Sequence, residues 1–172
     1  YNASAKYISY LLTPATVCLA VPLYEQLELL KKNKVAVVCG ILSGTLASLT
    51  GIFVLCMLFG FNHQQYVTML PKSITTAIGI GISEELGGIV TITVAVIIIT
   101  GILGNVIADT VFHIFRIKNP LAKGLALGTS AHAIGKAKAM ELGPVEGAMS
   151  SLAIAVAGLL TVVGASVFAG MM

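Results

Sequence analysis

Charge is what this sequence has least of: ten per cent of residues are charged, against fifty-seven per cent hydrophobic. With a strongly positive mean hydropathy, that balance excludes a water-soluble domain. Three stretches, 35–61, 87–108 and 147–172, hold no charged residue. Each exceeds the roughly 20 residues that cross a ~30 Å hydrocarbon core. Backbone groups in lipid must be satisfied within their own segment, so these stretches are expected to be helices. Cysteine is also sparse. Cys18, Cys39 and Cys56 lie in apolar stretches with no CxxC spacing, so neither a disulfide framework nor a metal site is indicated, and no cofactor is. There is no HExxH, no GxSxG and no paired aspartate, which sets an intramembrane enzyme aside. The net charge of +3 comes from short basic loops, which report orientation in a membrane and say nothing for nucleic acid.

What is present is a duplication. Thr76-Ala77-Ile78-Gly79 runs through Glu85-Leu86-Gly87 into an apolar run, and fifty-six residues later His132-Ala133-Ile134-Gly135 runs through Glu141-Leu142-Gly143 into another. After one extra residue, Gly101-Ile102-Leu103 falls opposite Gly158-Leu159-Leu160. A repeated unit of small and hydroxyl residues followed by a membrane-length segment is the pattern of a secondary transporter.

Four spanning segments are expected, at Tyr7–Tyr24 (interrupted by Pro14 and Pro22), Val35–Phe61, Ile89–Phe115 and Gly147–Met172. Six of the ten Lys and Arg sit in two loops, Lys31, Lys32 and Lys34 in one and Arg116, Lys118 and Lys123 in the other. The positive-inside bias makes both loops cytoplasmic. The second segment then leaves the cytoplasm, the third returns to it, and the fourth leaves again. That parity requires 64–88 to enter and leave from outside, and 120–143 to enter and leave from the cytoplasm. The predicted fold is therefore an all-α polytopic membrane protein of about four spanning helices plus two re-entrant half-helix hairpins in an inverted repeat. It is organised as a single integral membrane domain, with leading helices over 1–61 and inverted units at about 64–116 and 120–172.

Each hairpin has a predicted break, Pro71-Lys72-Ser73 in the first and Gly128-Thr129-Ser130 in the second. From Ser73 to Leu86 and from Ser130 to Leu142 the chain reads as a short helix, long enough to start near the bilayer midplane. Free amides and the positive dipole ends of two inverted helices would then converge there, which suits a small anion, a carboxylate before a cation. The candidate substrate-binding residues are Lys72, Ser73, Thr75, Thr76, Thr129 and Ser130. Plain helix capping is the alternative use of these hydroxyls. His132 has the titration range of a proton carrier and is the candidate for proton coupling, with a packing role weighed evenly against it. Glu85, Lys138 and Glu141 are candidates for gating or ordinary ion pairs. Gly40–Gly44 and Ser48–Gly51 carry small residues at helical spacing and are expected to serve helix packing.

Several blocks also carry a family resemblance: Pro14-Ala15-Thr16-Val17, Ala20-Val21-Pro22-Leu23-Tyr24, Leu70-Pro71-Lys72-Ser73-Ile74-Thr75-Thr76, Thr100-Gly101-Ile102-Leu103-Gly104, 124–132 and Glu141-Leu142-Gly143-Pro144. Together they resemble the LrgB/CidB membrane protein family over nearly the whole chain. Two positions depart from the family pattern: Ala77 stands where proline usually follows the double threonine, and Lys136 replaces a small or hydroxyl residue. The resemblance implies a polytopic protein of the bacterial inner membrane, ahead of a plastid envelope. It also implies upstream helices beyond those in this sequence, which begins at Tyr1. For function it implies two things. Some members are described as antiholin-like or holin-like regulators of murein hydrolase activity and cell lysis, acting with a small LrgA/CidA-type membrane partner. Related proteins transport small monocarboxylates such as pyruvate, glycolate and glycerate. The residues favour transport of a small carboxylate, with lysis control as the alternative. Self-association into a homo-oligomer is left open.

Overall fold

A computed structural model of the chain describes residues 24 and 26–172. The first predicted segment, Tyr7–Tyr24, with Pro14, Pro22 and Cys18, lies almost wholly outside the described residues. The described part is helical: α1 (Leu27–Lys32), α2 (Lys34–Leu58), α3 (His63–Met69), α4 (Thr76–Glu85), α5 (Val90–Ile114), α6 (Pro120–Leu142) and α7 (Pro144–Ala169). Three of these, α2, α5 and α7, are long and apolar enough to cross a membrane. They coincide with the last three segments expected from hydropathy, shifted by at most a few residues.

Directions follow from which residues meet. Val37 and Ile41 near the start of α2 share a core with Ala148, Met149 and Ala153 near the start of α7. Leu49, Ile52 and Cys56 share another with Ala165 and Ala169 near its end. The two helices therefore run parallel. Apart from Met149, the buried residues of α7 (Gly147, Ala148, Ser150, Ala153, Ala157, Gly158, Thr161, Ala165 and Ala169) are small. Small side chains let neighbouring backbones approach, which is how helices associate where lipid offers no hydrophobic drive.

The first hairpin enters as α3. A capping box starts it: Asn62 accepts from the Gln65 amide, and the Gln65 side chain accepts from the Asn62 amide. Tyr66 donates to the Phe168 carbonyl at the end of α7, fixing the depth of entry. After the turn 70–75, α4 runs back to the same face. A hydroxyl cluster closes the return. Thr93 of α5 donates to the Thr68 carbonyl at 2.9 Å and lies 2.8 Å from Ser83 of α4, while the Ile89 amide donates to Thr68 Oγ1. Thr93 spends its proton on Thr68, so Ser83 is the donor to Thr93.

The second hairpin is folded inside α6, whose only interior residue with non-helical dihedrals is His132, at φ 40° and ψ −134°. The chain reverses there. Gly124 lies against Glu146 and Met149 of α7, and Gly128 against Ser150 and Ala153, so residues 120–131 run with α7. Met140 packs on Gly147, Ile134 lies at Gly101 and Asn105 of α5, and Lys138 pairs with Asp109, so residues 133–142 run against α7 and with α5. This makes α5 antiparallel to α2 and α7. The two hairpins enter from opposite faces.

Two sequence expectations are corrected. The second break lies at His132 and not at Gly128-Thr129-Ser130. Thr129 donates to the Leu125 carbonyl and Ser130 to the Ala126 carbonyl, each four residues back, and both stay helical. The reversal occurs where Ala131 and Gly135 are small enough for the two halves to touch. The short helices are also shorter than expected, Thr76–Glu85 in place of Ser73–Leu86 and residues 133–142 in place of Ser130–Leu142. Ten residues still give about 15 Å, half the hydrocarbon thickness.

Candidate carboxylate site

The turn 70–75 positions the first group of site residues. Pro71 is buried against Gly79 of the returning helix, and the turn projects Lys72 and Ser73 toward α2. Lys72 Nζ donates to Ser73 Oγ at 2.8 Å, and Ser48 Oγ of α2 donates to the same oxygen at 3.0 Å. Ser73 thus accepts twice and retains its own proton for a further acceptor. Among the described residues, the ion pairs found are Lys138 with Asp109 and with Glu141, so Lys72 has no carboxylate partner there.

A cavity of about 770 Å³ lies between α2 and the first half of α6. Asn33 and Asn119, at the starts of those helices, line one end beside the basic loops. Gly40, Gly44 and Leu125 form its walls, and Ser48, Lys72, Ser73, Thr129 and Ser130 line its deeper part. The narrow walls come from small residues: a Cβ on Gly44 would sit 2.9 Å from Thr129 Oγ1. A second cavity of about 360 Å³ between α5 and α6 is lined by Thr100, Leu103, Gly104 and Phe112. Lys72, Ser130 and Ala126 belong to both linings, so Lys72 stands at the junction of the two spaces.

The other candidates fall in different places. Thr75 is the N-cap of α4 and makes no side-chain capping bond; Thr76 is the first helical residue, and both are half-buried outside the two linings. The first amides of α4 have no helical acceptors and remain free donors close to Ser73. His132 is buried, outside both linings, with Nε2 2.9 Å from the Ile97 carbonyl. A carbonyl only accepts, so Nε2 carries the proton. At positive φ this residue is strained, and packing against Gly101 with the Ile97 bond holds it there. Lys138 meets Asp109 at 2.7 Å and Glu141 at 3.8 Å. The hydrogen bond to Asp109, followed by the charges of both carboxylates, holds its pKa above the ordinary lysine range. Glu85 is exposed at the end of α4. Among the described residues no three His, Cys, Asp or Glu side chains come together as metal ligands.

Sequence reasoning missed Ser48, which it assigned to helix packing. The available signal was a hydroxyl in the middle of an uncharged span, one turn from Gly44. It also missed Asn33 and Asn119 at the mouth, which read as loop residues.

The chemistry available is that of an anion site. An ammonium without a carboxylate partner among the described residues, two serine hydroxyls and the adjacent start of a helix come together where the two cavities meet, a donor set suited to an anion.

Comparison with known proteins identifies the family. The family described as LrgB-like matches residues 1–171. A Bacillus cereus protein named "Antiholin-like protein LrgB" is 41% identical over 163 residues, covering 95% of this chain and 71% of that protein. A Bacillus anthracis protein of the same name matches at the same identity and coverage. No solved structure matches the chain.

Proposed function

This chain belongs to the LrgB-like family of integral bacterial membrane proteins, and from that premise we propose that it carries small monocarboxylates, of the pyruvate or glycolate class, across the membrane. The observation that supports this reading is Lys72: a cation without a carboxylate partner among the described residues, hydrogen-bonded to Ser73, at the junction of two cavities. In the proposed mechanism Lys72 attracts the carboxylate. Ser73 donates its free proton to it, Ser48 holds Ser73 in place, and the first amides of α4 at Thr75 and Thr76 stabilise the remaining charge. Thr129 and Ser130 face the same space. Their protons serve helix carbonyls, so their oxygens are left to accept from a hydroxyl or keto-hydrate of the substrate. The units 64–116 and 120–172 are the halves that alternate around the site. His132, at the pivot of the second hairpin, couples that movement to a proton, while Glu85 and the Lys138–Glu141 pair, outside both cavity linings, gate from the ends of the two short helices.

The experiment is uptake of labelled pyruvate by vesicles reconstituted with the protein, alongside Lys72→Met and Ser73→Ala. Uptake above empty vesicles that both variants lower by at least about tenfold is the expected result. Uptake equal to that of empty vesicles overturns it.

The relatives' names favour a second reading, and on names alone it stands ahead of transport: an antiholin-like regulator of murein hydrolase activity and lysis. It would act through a small LrgA/CidA-type partner seated on an apolar helix face. This reading expects Lys72→Met to leave lysis control intact; Gly40 and Gly44 do not discriminate, because they pack on Leu125 and Thr129 and wall the cavity of the transport reading. A lysis assay of the same variants separates the two.

A further inference from the structure

Two lysines reach the interior of the hairpins, and only one of them is used by the site above. The other, Lys136, is 5% exposed, and its Nζ is a buried nitrogen without a hydrogen-bond partner among the described residues. Of the six described carboxylates, Asp109 and Glu141 turn to Lys138, and none of Glu28, Glu84, Glu85 and Glu146 forms an ion pair. Residues 1–23 contain no Asp or Glu, and Glu25 lies outside the described residues. An ammonium left unsatisfied inside a bilayer is costly, and such residues mark ligand or ion paths.

Its position says what it faces. Lys136 is the fourth residue of the helix 133–142, which opens immediately after the reversal at His132. The amides of Ala133, Ile134 and Gly135 occupy the first turn of this half, beside the end of the outgoing half, whose Leu127 carbonyl oxygen lies 2.6 Å from a Cβ built on Gly135. Helical side chains lean toward the N-terminus, so the Lys136 stem carries its ammonium back toward those amides. Opposite stands α7. Met140 packs on Gly147 and Ser150 lies against Gly128, which precedes the reversal at His132 by four residues as Lys136 follows it by four, so Lys136 and Ser150 fall at about one depth. Ser150 is fully buried, and its hydroxyl likewise has no partner. Two buried donors without partners among the described residues therefore share one depth, next to the start of a helix.

We infer that the start of helix 133–142 is a second carboxylate-binding subsite, with Lys136 as its charged donor and Ser150 as its hydroxyl. The inference rests on the transport reading only for the identity of the anion. Lys72 and Lys136 then serve corresponding hairpins of the inverted pair, one open to the cavity and one closed in this arrangement.

The test is thermal unfolding of the purified full chain in detergent, titrated with sodium acetate against sodium chloride at equal ionic strength. Wild-type protein is expected to gain stability from acetate beyond chloride. Lys136→Met is expected to raise the acetate concentration for half of that gain by at least about tenfold, and Lys136→Arg to keep most of the response. Without acetate, Lys136→Met unfolds no lower than wild type, since an unpaired buried charge has been removed. Should Lys136→Met not fold, Lys136→Gln is measured in its place with the same expectation. An acetate response unchanged by the variant overturns the subsite, as does wild-type protein that responds to acetate no more than to chloride. Failure of pyruvate uptake in vesicles sinks the transport reading and leaves this measurement standing.

Discussion

Gly128→Ala tests the second hairpin most directly. A Cβ built on Gly128 lies 2.5 Å from the Ser150 carbonyl oxygen, 2.7 Å from Ala153 Cβ and 2.9 Å from Ser150 Cα. Two of these atoms are backbone of α7 and the third is a methyl, so no rotamer change relieves the clash. The helices must separate by roughly an ångström to restore ordinary contact, and overpacking of this kind costs about 1–3 kcal/mol. Against that, alanine in place of glycine favours a helix by about 0.5–1 kcal/mol. Gly51→Ala isolates the steric part, because a Cβ there meets nothing within 4 Å and the propensity gain is common to both. The gap between the two variants is therefore the clash itself. At about 2–4 °C per kcal/mol for a chain of this size, Gly128→Ala should unfold roughly 2–12 °C below Gly51→Ala. The assay is far-ultraviolet circular dichroism of purified protein in detergent, heated through the transition. Equal midpoints would refute the placement of 120–131 against α7, and the re-entrant hairpin with it.

Three other expectations follow from buried hydroxyls and one interfacial pair. Tyr66→Phe removes the donor to the Phe168 carbonyl and should lower stability by about 1 kcal/mol in the same melt. Thr93→Val leaves the Thr68 carbonyl and the Ser83 hydroxyl without their partner, and should cost about 1–3 kcal/mol and speed amide exchange at Ile89. Asp109→Asn should lower the melting midpoint slightly at low salt, with the difference fading as salt is added. The bonded Lys138 has a raised pKa, so the stabilisation from this pair is fully present at neutral pH and disappears as pH climbs through the alkaline folded value. Variant and wild type should therefore converge at high pH.

The spans were legible because hydropathy is a property of a whole window. Val90–Ile114 could slide by a residue at either end without changing its identity as a span. Re-entry was legible for a different reason. Basic residues at 31–34 and 116–123 fixed two loops to one face, and parity then left the intervening stretches no other path. The start of α3 could also have been read, since Asn62 and Gln65 have the spacing of a capping box.

The point of reversal was less accessible, because it depends on a competition that local sequence poses without resolving. Gly128-Thr129-Ser130 offers a break by composition, yet both hydroxyls have a carbonyl four residues back, and using it keeps the chain helical. His132 is a poorer candidate in isolation, being a side-chain-bearing residue at φ 40°. What moves the turn there lies on another helix. Gly101 leaves room for the imidazole, the Ile97 carbonyl receives Nε2, and Gly135 with Ala131 lets the returning half lie against the outgoing one. The same logic governs Ser48 and Ser73, whose hydrogen bond joins residues twenty-five apart. A serine at the middle of a span looks like packing until a hairpin from the opposite face brings a second serine and a lysine within reach. The hydroxyls that the chain keeps for its own carbonyls and those it holds out to a cavity are chemically alike, and only the tertiary path of the two hairpins separates them.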